Sequence, residues 1–234
     1  MRKLTSTLLL GAALGLVAGP ASAQFRSDTT ASGTGYFITS TAQPCVGSTV
    51  AGCAMLTVLN YDSAGLPQAL TSKGSDITGT YYAGSFDIGG TVRLDTPNTV
   101  DATITIGSGS ALALARTVIE TGRPGGAFNT IATGFYAPAG ATKWEWALEV
   151  QGSTLFGARR YTDAAGKDRW QFTTGKLVLN AANATSSYSD ALMGCTVGPA
   201  CTSNGTVSFS FPRNNIATVT LPDGSVSSLQ PFAY

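Results

Sequence analysis

The C-terminal third of the chain alternates apolar and polar residues with a period of two. Val207, Phe209 and Phe211 alternate with Ser208 and Ser210, and Ala217, Val219 and Leu221 alternate with Thr218 and Thr220. Ala102, Ile104 and Ile106 do the same with Thr103 and Thr105. This is the pattern of half-buried antiparallel strands, whose successive side chains point to opposite faces. Turn formers separate the runs: Pro212-Arg213-Asn214-Asn215, Asp223-Gly224 and Asp163-Ala164-Ala165-Gly166. The runs follow one another at hairpin spacing, which predicts an antiparallel meander. Segment 111–120 (ALALARTVIE) has helical propensity, but it aligns with the alternating region 226–233 and is therefore expected to be a strand.

That alignment belongs to an internal similarity. At an offset of 115, Gly90-Thr91-Val92 meets Gly205-Thr206-Val207, Pro97 meets Pro212, and Ala102-Thr103 meets Ala217-Thr218. Thr105, Gly109-Ser110 and Leu114 then meet Thr220, Gly224-Ser225 and Leu229, giving ten identities over columns 90–114 without a gap. With gaps, Tyr61, Asp62, Ala64 and Gly65 correspond to Tyr161, Asp163, Ala165 and Gly166, and Gly35-Tyr36-Phe37 resembles Gly134-Phe135-Tyr136. The expected fold class is all-β. Two tandem antiparallel meander repeats are predicted, barrel-like or sandwich, each of about six to eight strands, because closure or stacking hides strand edges. The expected organisation is a signal peptide over 1–23, an N-terminal segment over 24–34, repeat 1 over 35–117, a linker over 118–133 and repeat 2 over 134–234.

The N-terminus changes the compartment. Arg2 and Lys3 precede an apolar stretch from Leu8 to Ala18, and Ala21-Ser22-Ala23 offers the small-x-small pattern of signal peptidase. The stretch is shorter than the ~20 residues a spanning helix needs. Cleavage takes Lys+Arg from 14 to 12 against 13 acids, so the mature net charge is 12 − 13 = −1. Without a basic excess, neither nucleic acid nor an anionic membrane is the expected partner, and no integral membrane span is expected. In an oxidising compartment the clustered cysteines predict local disulfides, Cys45–Cys53 and Cys195–Cys201. A structural zinc would need all four thiolates together, since the chain has no histidine.

The absence of histidine also removes Ser-His-Asp and Cys-His machinery and the imidazole base. Glu145 and Glu149 are expected on the solvated face of a strand, opposite Trp144, Trp146, Leu148 and Val150. A glycosidase needs two carboxylates flanking one bond across a cleft. Asp62 and Asp163 each bring one carboxylate to an Asp-x-x-Gly sequence, too few oxygens for calcium, so both predict turns. Gly107-Ser108-Gly109 lacks the lysine and helix of a phosphate loop and also reads as a turn. Asn183 and Asn204 open glycan-type sequons that receive no role. Trp144, Trp146, Tyr161 and Trp170 are the candidate ligand-binding group, and the bases Arg159, Arg160, Lys167, Arg169 and Lys176 form a local excess of positive charge in the same copy. The competing expectation has the tryptophans in the core and the bases facing water. No catalytic residue, metal ligand or cofactor is predicted.

Gly134, Tyr136, Pro138, the run Leu148-Glu149-Val150-Gln151-Gly152, Leu155-Phe156, Tyr161, Asp163, Gly166 and Trp170 together resemble a repeat of uncharacterised proteobacterial exported proteins. In outline that repeat runs Gly-x-Trp-Tyr-x-Pro, then a strand and turn, then Tyr-x-Tyr-Asp-x-x-Gly-x-Pro-x-Trp. The resemblance covers most of 134–234, with an echo in 35–117. Here Tyr136 takes the place of the first tryptophan and Asp168 that of the second proline, while in the first copy Ala69 stands where the last tryptophan would be. The resemblance implies export and an all-β fold and carries no activity. The expected function is a non-enzymatic periplasmic or extracellular binding or interaction module, its partner a small molecule, a glycan or an envelope protein. The alternatives are an outer-membrane β-barrel, suggested by the ending Phe232-Ala233-Tyr234, and a carboxylate-dependent glycoside hydrolase.

Overall fold

The computed structural model describes residues 24–28, 35–41, 53–76, 81–86, 90–95, 101–117, 133–180, 185–196, 201–213 and 216–232. These contain sixteen strands and no helix, arranged as two closed barrels. The first barrel comprises β1 (Gln24–Asp28), β2 (Gly35–Thr41), β3 (Cys53–Tyr61), β4 (Pro67–Asp76), β5 (Tyr81–Phe86), β6 (Thr91–Asp95), β7 (Asp101–Ile106) and β8 (Leu112–Arg116). The second comprises β9 (Gly134–Ala137), β10 (Trp146–Gln151), β11 (Thr154–Thr162), β12 (Asp168–Asn180), β13 (Thr185–Cys195), β14 (Cys201–Arg213), β15 (Ile216–Thr220) and β16 (Val226–Pro231). Every pairing is antiparallel and joins neighbours in the chain, except where β1 meets β8 and β16 meets β9 to close each barrel.

The period-two pattern decides which side chains fill each barrel. In the first, Leu56, Val58, Val92, Leu94, Ala102, Ile104 and Leu114 form one buried cluster. In the second, Trp146, Leu148, Val150, Val207, Phe209, Phe211, Ala217 and Val219 belong to a larger one, completed by Tyr136 and Tyr188. Thr173 and the Tyr188 hydroxyl hydrogen-bond to each other inside it, and burial pushes the Tyr188 phenol up to about 12 against the lowering effect of that bond. Both interiors are thus occupied by the chain's own side chains.

Where residues matched at the offset of 115 lie on strands, the strands are of equal rank: Thr91-Val92 on β6 with Thr206-Val207 on β14, Ala102-Thr103 and Thr105 on β7 with Ala217-Thr218 and Thr220 on β15, and Leu114 on β8 with Leu229 on β16. Gly90 and Gly205 both have positive φ, 94° and 103°. At Gly205 the reason is a bulge: Ala191 faces Thr206 and Met193 faces Ser203, so Asn204 and Gly205 together oppose Leu192. A residue without Cβ suits that backbone. The same ranking shows where the upstream comparison fails. Gly35 opens the second strand of its barrel whereas Gly134 opens the first, and the counterpart of β9 is β1, at residues 24–28. β1 lies ahead of residue 35, in the segment the sequence treats as an N-terminal extension.

The Asp-x-x-Gly sequences are turns. Asp62 Oδ1 accepts from the backbone N–H of Ala64 and Leu66 at 2.9 and 3.0 Å, and Asp163 Oδ1 from those of Ala165 and Lys167 at 2.9 Å each. Gly65 and Gly166 take φ values of 73° and 76°, which only glycine adopts without strain. Gly107-Ser108-Gly109 is likewise a turn, between β7 and β8. Cys195 and Cys201 are cross-strand partners joined by a disulfide at the end of the long β13–β14 hairpin. The Cys45–Cys53 pairing and all of the predicted linker 118–133 except its last residue lie outside the described residues.

The barrels pack side by side, the outer faces of β3 and β4 against those of β9 to β12. One buried apolar cluster crosses this seam, with Met55, Leu59 and Ala69 from the first barrel and Phe135, Trp144, Ala147, Phe156, Ala158 and Trp170 from the second. The strands on the seam are therefore buried on both faces. All six residues of β10 are buried.

Candidate functional site

The seam absorbs much of the chemistry that the sequence offers. Trp144 lies in the connection before β10, not on that strand, and its indole N–H donates to Thr71 Oγ1 at 2.9 Å across the seam. Arg160 stacks its guanidinium 5.3 Å from the Trp144 ring, donates to Thr71 Oγ1 at 3.3 Å and pairs with Asp168 at 3.3 Å. Lys143 also reaches Asp168, at 3.1 Å. Trp170 donates to the Asn60 carbonyl at 2.8 Å and lies 5.7 Å from the ring of Tyr61, on the outside of the second barrel. At its counterpart in the first barrel stands Ala69, buried in the same cluster. One tryptophan and one alanine thus share a space that two tryptophans would overfill.

Arg169 clamps the turns of the two barrels together. Its Nε donates to Asp163 Oδ2 at 2.8 Å and its Nη1 to Asp62 Oδ2 at 2.7 Å and to the Pro67 carbonyl at 3.1 Å. The hydrogen bond from Arg169, aided by the backbone N–H of Leu66, draws the Asp62 carboxyl from the ordinary 3.8 down to about 2. The Asp163 carboxyl is lowered by the same guanidinium. A carboxylate whose folded pKa is depressed contributes stability above its unfolded pKa and loses it as pH falls through the folded value. Melting temperature should therefore fall between about pH 4 and about pH 2. Thermal melts of Asp62→Asn should show a weaker fall over that window, and an unchanged profile would count against the clamp.

Two expectations are corrected here. Glu149 is not solvated: it is 1% exposed, facing the first barrel, where Arg116 donates to Oε1 at 2.8 Å and Gln151 at 3.1 Å. Arg160 and Arg169 do not face water; each is about 5–6% exposed within the ion pairs just described. Glu145 and Glu149 accordingly serve different surroundings, Glu145 pairing with Arg159 at 3.7 Å.

A cluster of polar side chains stands on the inward side at one end of the second barrel. Tyr136, Trp146, Arg159 and Gln171 are register partners across β9, β10, β11 and β12, so they share the inward side. Arg159 donates to Gln171 Oε1 at 3.4 Å and lies 5.7 Å from the Tyr161 ring, two residues further toward the end of β11. The exposed Asp223 carboxyl, on the β15–β16 turn, is lowered mainly by its bonds from Ser225, with a contribution from Arg159. Arg159, Glu145, Gln171, Tyr161 and Asp223 thus gather at one mouth of the barrel, above the fully buried Trp146, which meets Phe209 edge to face at 4.7 Å.

Of the four predicted ligand-binding residues, the structure brings Trp146 and Tyr161 to this mouth and places Trp144 and Trp170 in the seam. Sequence reasoning noted Arg159 among bases expected to face water, read Asp223 as part of a turn and passed over Gln171. The signal was present for Arg159: the alternation Leu155, Gly157, Arg159, Tyr161 sets a cation on an otherwise apolar face. Among the described residues no group of His, Cys, Asp and Glu is arranged to hold a metal ion, and no helix is long and apolar enough to cross a membrane. No family model matches this chain, and neither a curated protein nor a solved structure matches it.

Proposed function

We propose that this chain is an exported, non-enzymatic binding module of the periplasm or cell exterior, built from two copies of one barrel unit, and that it recognises its partner at the mouth of the second barrel. The carrying observation is the state of Arg159. Arg116 and Arg169 meet carboxylates at 2.7–2.8 Å, whereas Arg159 has one hydrogen bond at 3.4 Å and one ion pair at 3.7 Å. Barrel mouths lined by aromatics with a few convergent polar groups are common ligand sites. Export is supported by the leader-like N-terminus and agrees with the Cys195–Cys201 disulfide. The two-copy reading is supported by the equal strand ranks of the matched residues, and the likeness to the exported repeat family remains part of this proposal. A soluble rather than outer-membrane barrel is favoured because outward positions carry Arg93 and Asp95 on β6 and Ser187, Ser210, Thr218 and Ser228 in register across β13 to β16. A lipid-facing band is apolar, and a charge at its midplane costs ~2–4 kcal/mol.

A thermal-shift screen of the full mature chain against neutral oligosaccharides, amphiphiles and organic acids tests the reading. A ligand at one hundred times its Kd should stabilise by roughly 2.7 kcal/mol, and Arg159→Gln should abolish that shift while leaving the unliganded melting temperature nearly unchanged. Shifts that survive both Arg159→Gln and Tyr161→Ala would place recognition elsewhere.

A further inference from the structure

The mouth is short of one kind of group. The indole N–H of Trp146 and the Nε–H of Arg159, at paired positions on β10 and β11, have no hydrogen-bond partner. Both are donors that cannot accept. The remaining ties of Arg159 are weak: its bond to Gln171 is near the outer limit of hydrogen-bond length, and its pair with Glu145 at 3.7 Å lies beyond that limit. The Gln171 amide and the Tyr161 ring border the same guanidinium. What this arrangement lacks is an acceptor within hydrogen-bond distance of these two donors, since the Glu145 carboxylate stands 3.7 Å from the Arg159 Nε.

We infer that the mouth of the second barrel binds a ligand through a carboxylate, held by Arg159 with Tyr161 and Gln171 beside it. The inference rests on the reading of the mouth as the recognition site and adds the ligand's chemistry. Guanidinium and carboxylate match as a fork of two parallel hydrogen bonds, a geometry that an ammonium does not reproduce. A ligand carboxylate would replace a partly exposed ion pair, and pairs of that kind contribute little. Tyr161 offers a face for the body of the ligand and the Gln171 amide a partner for an adjacent hydroxyl. A free organic acid and a uronic acid residue of a polysaccharide present the same group, so the test must separate them.

Calorimetric titration of the full mature chain at low salt, with succinate, a galacturonate trimer and a galactose trimer as probes, makes that separation. At least one carboxylate probe should bind, the neutral trimer should not, and added salt should weaken the binding. Arg159→Gln should weaken it roughly tenfold or more, with Arg159→Lys falling between, while both variants melt like the parent. Binding confined to the galacturonate trimer would assign the ligand to polysaccharide, and equal binding of succinate would assign it to free acids; both outcomes support the carboxylate. A galactose trimer that binds as well as the galacturonate trimer and loses affinity in Tyr161→Ala would overturn the carboxylate and leave the mouth as the site. Carboxylate binding unaffected by Arg159→Gln, or no binding by either carboxylate probe, would overturn the inference outright.

Discussion

Trp170→Ala should lower the unfolding free energy by about 3–5 kcal/mol, the range for truncating a large buried aromatic. The indole is 6% exposed between Tyr61 and Phe172, and its N–H serves the Asn60 carbonyl at 2.8 Å. Alanine would leave a void in the seam and a carbonyl without its donor. Trp170→Phe should recover only part of the loss, because the ring returns without the hydrogen bond. Denaturant unfolding followed by circular dichroism gives the measurement. The native chain is expected to unfold in one transition and Trp170→Ala in two, as the barrels come apart before either melts. A loss below about 1 kcal/mol, typical of a surface position, would mean that the seam does not hold the barrels together.

Trp146→Ala should cost a similar ~3–5 kcal/mol by a different route. This indole is fully buried inside the second barrel, edge to face with Phe209 and in register with Tyr136 and Arg159. Such aromatic pairs contribute ~0.5–1.5 kcal/mol beyond the area they bury. Because its N–H has no partner, Trp146→Phe should restore most of the stability. The contrast with Trp170→Phe is the informative comparison, and it can be read from denaturant midpoints at equal slope. Equal recovery at both positions would contradict the different hydrogen-bonding states assigned to the two indoles.

Much of the fold was legible because a half-buried strand writes its geometry into alternate residues. Val207, Phe209, Phe211, Ala217 and Val219 all point inward as that pattern requires, and the two Asp-x-x-Gly turns follow from the chemistry of aspartate and glycine. The seam was hidden because it joins residues about a hundred positions apart, and outward side chains of a barrel strand are expected to meet water. Glu149, Arg160 and Arg169 therefore read as surface residues when they are buried in pairs. The segments Met55-Leu56-Thr57-Val58-Leu59 and Thr154-Leu155-Phe156-Gly157-Ala158, in which apolar residues stand at adjacent positions, were the available clue, since strands buried on both faces lose their alternation. β1 escaped notice for another reason: Gln-Phe-Arg-Ser-Asp holds a single apolar residue, so no alternation can appear in it. At the mouth, Trp146 and Tyr161 were picked out by composition, but Arg159 needed the register to show that it faces inward.

Barrel closure has a consequence for how the chain assembles. Arg26 pairs with Arg116 and Tyr136 with Pro231, so each unit is completed only when its final strand finds its opening one. Contacts so distant in sequence slow folding, because a long loop must close before they are rewarded. A chain emerging from its N-terminus can complete the first unit before the second exists. Until then Met55 and Leu59, destined for the seam, remain uncovered on that finished unit. The nascent protein passes through a stage that is natively paired in its backbone yet adhesive on one side, the stage at which a chaperone or self-association would compete with the arrival of β9 to β12.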